Sequence, residues 1–138
     1  MQMYLFTGTN PNIDGSLDAD VVVHEHTHGL SNRLHGNGSG LTNDMARAMG
    51  EGGSDFYALS LLSQPSDPVN GVYATATYAT YKWFQSAGFV NNNYYGIRRF
   101  PYAVKTATGG PSNLPFNPLT FQDIDQTKLD GHLVVTRI

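Results

Sequence analysis

His24, Glu25 and His28 stand in the pattern H-E-x-x-H inside the stretch DVVVHEHTHGLSNRL, which holds three of the five histidines of the chain. Residues four apart on a helix project from one face, about one turn (~6 Å) from each other. His24 and His28 can therefore share one cation, with ring nitrogens about 2.0–2.1 Å from a zinc ion and no strain in the backbone. Glu25 lies roughly 100° further round the helix. From there its carboxylate sits beside the metal without binding it and can take a proton from a water that zinc has acidified toward a pKa of about 7.

A catalytic zinc keeps three protein ligands and one open position, so a third donor is required. The segment MGEGGSD supplies candidates in Glu51 and Asp55, again four apart. Glu51 can reach the metal, and Asp55 can accept the other ring N–H of a ligating histidine, His24, and so fix its tautomer. Gly52 and Gly53 in mid-helix cost about 1 kcal/mol each relative to alanine, which suggests a close approach of the first helix there. His26 points away from the His24/His28 face and reads as a bystander. His35 is out of register for the longer pattern H-E-x-x-H-x-x-G-x-x-H, whose last two fixed positions hold Ser31 and Leu34.

Two helices have to carry these residues. Asp18 or Asp20 can cap the first, Val22, Val23, Leu30 and Leu34 recur at roughly helical spacing, and Gly36 ends it. Thr42, Asn43 or Asp44 can cap the second, which runs to about Ser63 with Met45, Met49, Phe56, Leu59 and Leu62 on its buried face. MQMYLFTG reads as a strand before a turn-rich loop, VYATATYATYKWF as a strand or hairpin, SAGFVNNNYYG as turns and IRRFPYAV as a short extended piece. The stretch 108–125 is a loop-dominated tail with several prolines. These elements predict an α+β fold: an active-site helix and a glutamate-bearing helix packed beside a short strand region, with a loop-rich C-terminal half.

At 138 residues the chain fits one domain, and no linker divides it. A net charge of −3 and no basic run beyond Arg98-Arg99 argue against nucleic acid as a partner. With no cysteine, a transition metal can be held only by His, Asp or Glu. No apolar run is long enough for a membrane span, and the start of the chain does not read as a signal peptide.

The blocks MQMYLFTGTNPN, HE.THG.SNRL, MGEG.SDF, GIRRFPY and NPLTF, in that order, resemble the fungalysin-type secreted metalloendopeptidases, thermolysin-like zincins with a glutamate ligand. The resemblance implies a zincin-like catalytic domain, zinc held by His24, His28 and Glu51, Glu25 as general base, Asp55 behind a ligating histidine, a peptide or protein substrate and an extracellular location. It also offers Arg98 for a hydrogen bond to a substrate backbone carbonyl; the alternative is a surface ion pair. Calcium binding near the zinc helix would fall to Asp14, Asp18 and Asp20. Leu61 and Leu62 stand where its acidic partners on the second helix would be needed, so these aspartates read as solvated caps.

The chain departs from the family pattern at His26, where an aromatic or apolar residue is usual, and at Gly53, where tryptophan is. An upstream edge strand that pairs with substrate and a downstream histidine block that stabilises the oxyanion are both expected in the family. His132, in GHLVVTRI, does not reproduce the latter. Residues 1–138 thus read as a fragment of a longer catalytic domain. The leading function is zinc-dependent peptide hydrolysis, and the alternative is a catalytically silent zinc-binding core. A purely structural zinc would want four protein ligands, and three are found.

Overall fold

The computed structural model describes residues 3–103 and Leu114. Strand β1 (Leu5–Phe6) pairs antiparallel with β2 (Ile13–Asp14), Leu5 opposite Asp14 and Phe6 opposite Ile13. A 3₁₀ turn over Gly15–Leu17 then leads into α1 (Ala19–Leu34). Helix α2 (Asp44–Leu62) lies against α1 as the principal interface of the described residues. Strand β3 (Val72–Tyr73), helices α3 (Thr77–Ser86) and α4 (Asn92–Tyr95) and strand β4 (Tyr102–Ala103) follow, with β3 and β4 paired antiparallel and Tyr73 opposite Tyr102. The result is the expected α+β architecture. The tail 108–125, apart from Leu114, the NPLTF block and His132 lie outside the described residues.

Both site helices begin and end for local reasons. Asp18 caps α1, its Oδ1 accepting from Asp20 N–H at 3.0 Å, and Gly36 at φ +75° follows the last turn. Asn43 caps α2 through Ala46 N–H at 2.8 Å, and Ser63, two residues ahead of Pro65, is extended.

Several expectations need correction. The stretch VYATATYATYKWF is not a hairpin: only Val72 and Tyr73 are strand, and a helix starts at Thr77. Its start is fixed from elsewhere in the chain. Ala76 takes a left-handed turn at φ +55°, Asp20 Oδ2 accepts from Ala76 N–H at 3.1 Å, and Asp18 Oδ2 accepts from Ala79 N–H at 2.9 Å. Two carboxylates from the start of α1 thus satisfy orphan donors of α3, and that tertiary capping outweighs the strand preference of Thr and Tyr. Asp18 is 4% exposed, so it is a buried cap and not a solvated one.

The buried face of α2 is also not the large apolar one. Ala48, Asp55 and Ala58 are buried, whereas Met49 and Phe56 are 66% and 63% exposed, and Met45 and Leu62 are exposed as well. Positions 48, 51, 55 and 58 share one helix face, and small or polar side chains there bring α2 close to α1. On α1, Leu30 and Leu34 are likewise exposed. Finally, a Cβ added at Gly53 would meet open space; Gly50 is the glycine whose Cβ position lies against the His28 ring, at 3.8 Å.

Candidate metal centre

His24 and His28 leave α1 one turn apart, with ring centroids separated by 4.6 Å and the planes nearly perpendicular. Glu51 meets them from α2. Its Oε2 is 3.3 Å from His24 Nε2, and its Oε1 is 3.2 Å from His28 Nε2. Donor atoms of all three residues lie within 4.8 Å of one another, the one such group of His and acidic residues among the described residues. Two donors on a tetrahedral zinc, each about 2.1 Å from it, stand about 3.4 Å apart, so the spacing suits one ion. Two imidazoles and one carboxylate are also the donor set of a catalytic zinc with an open fourth position.

Behind the donors, Asp55 accepts from His24 Nδ1 at 2.7 Å, which leaves Nε2 turned toward Glu51. Asp55 is 1% exposed and its carboxylate is fully engaged. Arg98 donates Nε to Oδ2 at 2.6 Å and Nη2 to Oδ1 at 2.8 Å, and Nη2 also reaches Glu51 Oε2 at 3.3 Å. The Tyr102 hydroxyl donates to Oδ2 at 2.6 Å. Arg98 is therefore ion-paired, but in the interior and not at the surface, with a side chain 7% exposed. Its approach depends on Gly96, which sits at φ +58° where a Cβ would collide with the Thr75 carbonyl that accepts from Ile97 N–H at 3.0 Å.

The charges reinforce one another. Burial disfavours protonated His24, yet the hydrogen bonds and charges of Asp55 and Glu51 prevail and push its pKa up to about 9. Burial would raise Glu51, but donors on both histidines and the Arg98 charge hold it well below the usual carboxylate range. Asp55 is lowered in the same way against its burial, by His24, Arg98 and Tyr102. Burial and the Asp55 charge push the Tyr102 phenol above its ordinary value, so it remains a donor.

Glu25, His24, Glu51 and Arg98 line one cavity of about 230 Å³. Tyr4, Phe6, Val21 and Ile97 form its apolar wall. His26 is exposed, and His35 Nδ1 pairs with the Ser31 carbonyl at 2.8 Å; neither belongs to the donor cluster. The carboxylates of Asp14, Asp18 and Asp20 accept backbone N–H groups as caps. Tyr102 was not visible to the sequence reading. IRRFPYAV was expected to be extended, but residues 98–100 form bends and the strand covers Tyr102–Ala103 alone, so no local period in the sequence points Tyr102 at Asp55.

An α+β fold in which an H-E-x-x-H helix faces a glutamate-bearing helix is zincin-like. The chain belongs to the fungalysin metallopeptidase family (M36), whose profile matches residues 1–136. It is 37% identical over 129 residues to extracellular metalloproteinase 10 of Coccidioides posadasii, covering 91% of this chain and 18% of that protein. Over 127 residues it is 37% identical to extracellular metalloproteinase 2 of Arthroderma otae, covering 90% and 17%. Extracellular metalloproteinase mep of Aspergillus fumigatus is 36% identical over 128 residues, with 91% and 17% covered. The chain thus spans less than a fifth of the length of these relatives. Among the described residues no helix is long and apolar enough to cross a membrane.

Proposed function

We propose that residues 1–138 form the zinc-holding part of a longer extracellular endopeptidase domain that hydrolyses peptide bonds in peptide or protein substrates. The observation that carries this reading is the convergence of His24, His28 and Glu51 beside a cavity that Glu25 also lines. The two imidazole Nε2 atoms and the Glu51 carboxylate would hold zinc. When bound, the metal supplies Lewis acidity toward the scissile carbonyl and the attacking water. Glu25 takes the proton of that water and delivers it to the leaving amine nitrogen, so no covalent acyl-enzyme forms. Asp55 keeps the His24 proton on Nδ1, and Arg98, on the same cavity wall, donates to a backbone carbonyl of the substrate. The names of the relatives support the extracellular location.

The test is Glu25→Gln, assayed for zinc content and for cleavage of denatured casein with and without chelator. The expected result is chelator-sensitive cleavage by the parent chain, and full zinc content with cleavage reduced at least about a hundredfold in the variant. Peptidase activity retained by Glu25→Gln would overturn the assignment of the base. Stoichiometric zinc without any cleavage by the parent would favour the silent zinc-binding core instead.

A further inference from the structure

We propose that Tyr102 is a positioning residue of the metal centre, holding the Asp55 carboxylate so that Oδ1 secures the Nδ1–H of His24 and Nε2 faces the metal. This inference rests on the zinc reading of His24, His28 and Glu51.

Asp55 lies in mid-helix on α2, buried to 1% exposure, and a carboxylate in such a place must have its lone pairs satisfied. Four donors do so: His24 Nδ1 and Arg98 Nη2 on Oδ1, Arg98 Nε and the Tyr102 hydroxyl on Oδ2. These donors differ in how far they are committed. Arg98 Nη2 is divided between Asp55 and Glu51, so any rearrangement of Glu51 toward a metal acts on the arginine as well. His24 is itself a prospective ligand. Tyr102 is not one of the three prospective ligands; its hydroxyl donates to Asp55 Oδ2 and lies beside Arg98.

The backbone supports that commitment. Tyr102 belongs to β4 and pairs with Tyr73 of β3, so its position is set by a strand ladder and not by the loop that carries Arg98. The phenol sits beside an ionised, buried carboxylate, where losing its own proton would place two negative charges in contact, so it stays a donor. A hydrogen bond from a neutral hydroxyl to an ionised group is short and strong, consistent with the 2.6 Å separation. Pinning Oδ2 from the strand side stops the carboxylate from turning about its terminal torsion, and Oδ1 then stays in line with His24. The chain of effect runs from Tyr102 through Asp55 to His24, and from there to the ligand nitrogen.

The experiment measures zinc affinity of the full chain by chelator competition for the parent, Tyr102→Phe, Asp55→Asn and the double variant. The visible absorption of the cobalt-substituted proteins is recorded in parallel. Tyr102→Phe keeps the ring and removes only the hydroxyl. Its zinc affinity is expected to fall about three- to tenfold, with altered cobalt bands, and Asp55→Asn to fall about 10- to 100-fold. In the Asp55→Asn background the loss of the hydroxyl should change affinity by less than about twofold, because the group through which it acts has gone. Placing 4-aminophenylalanine at 102, which restores a donor at the same ring position, should return the affinity to within about twofold of the parent. If Tyr102→Phe does not fold, 4-methylphenylalanine at 102, which fills the same space without a donor, decides the matter: loss of affinity there beside a parent-like value for the amino analogue supports the assignment, and parent-like affinity in both overturns it. Unchanged affinity and cobalt spectrum in folded Tyr102→Phe, or an equal loss in both backgrounds, also overturns it. Failure of the parent chain to bind zinc would instead refute the underlying metal reading.

Discussion

Each residue of the centre is held by a partner that answers its charge, and His24 shows the consequence most directly. In metal-free protein its protonated ring spans Asp55 and Glu51, and its pKa stands near 9 against an ordinary value of 6.5. A raised pKa means that the folded state binds the proton more tightly than the unfolded one does. The resulting stability is fully present below pH 6.5 and is lost as pH rises through about 9. Thermal unfolding in chelator should therefore give a midpoint that falls by several degrees between pH 6.5 and 9.5, and His24→Gln should abolish that dependence. A midpoint independent of pH over this window would contradict the paired imidazolium. The same proton competes with zinc for Nε2, so zinc affinity should climb with pH across the same interval. At this scale much was legible in advance: the i, i+4 spacing placed His24 with His28 and Glu51 with Asp55 before any fold was known. The partner on Asp55 was not, since Tyr102 lies 47 residues away in sequence and only tertiary folding brings it there.

The elements matter through what they present to one another. Caps and glycines mark the ends of α1 and α2 locally, which is why both spans could be read from sequence. The face that α2 buries could not be, because the ordinary preference for burying Met49 and Phe56 is overruled by the need to bring Glu51 and Asp55 against α1. Helix α3 was hidden for a related reason: its start depends on a carboxylate 61 residues away. Asp18 joins two helix starts with one side chain, accepting from Asp20 N–H and from Ala79 N–H. Removing it orphans donors on both, and each cap is worth up to about 2 kcal/mol. Asp18→Ala should thus lose about 2–4 kcal/mol in denaturant unfolding, with a drop in far-ultraviolet helicity from α3. Asp18→Asn, which keeps one of the two acceptor oxygens and turns an amide donor toward the other N–H, should lose at least about half of that. If alanine costs no more than an ordinary surface substitution, the shared cap is not what sets α3 in place.

For the whole molecule, the buried apolar side chains among the described residues are few and small: Ile13, Ala48, Ala58, Ala76 and Ala79. Phe56, Met49, Leu61 and Val69, which would bury far more area, are exposed. Among the described residues the pairing of α1 with α2 is therefore made by small side chains and by the network around Asp55 and Glu51, where polar groups contribute only if every partner is in place. A metal bound by His24 and His28 from one helix and Glu51 from the other would clamp that same interface and bind the folded state alone. Free zinc at a hundredfold excess over its dissociation constant stabilises such a state by about 2.7 kcal/mol. In a chain of this length that corresponds to a rise of about 10 °C in the unfolding midpoint. Calorimetry of the chain with zinc and after chelation should show that difference, and Glu51→Gln should remove most of it by withdrawing the ligand from α2. The exposed apolar face of α2 lies away from the donors, so dye binding to it should persist in both states. A midpoint indifferent to zinc in the parent chain would mean that the metal does not clamp the two helices, and that the polar network around Asp55 and the small side chains between them hold the interface alone.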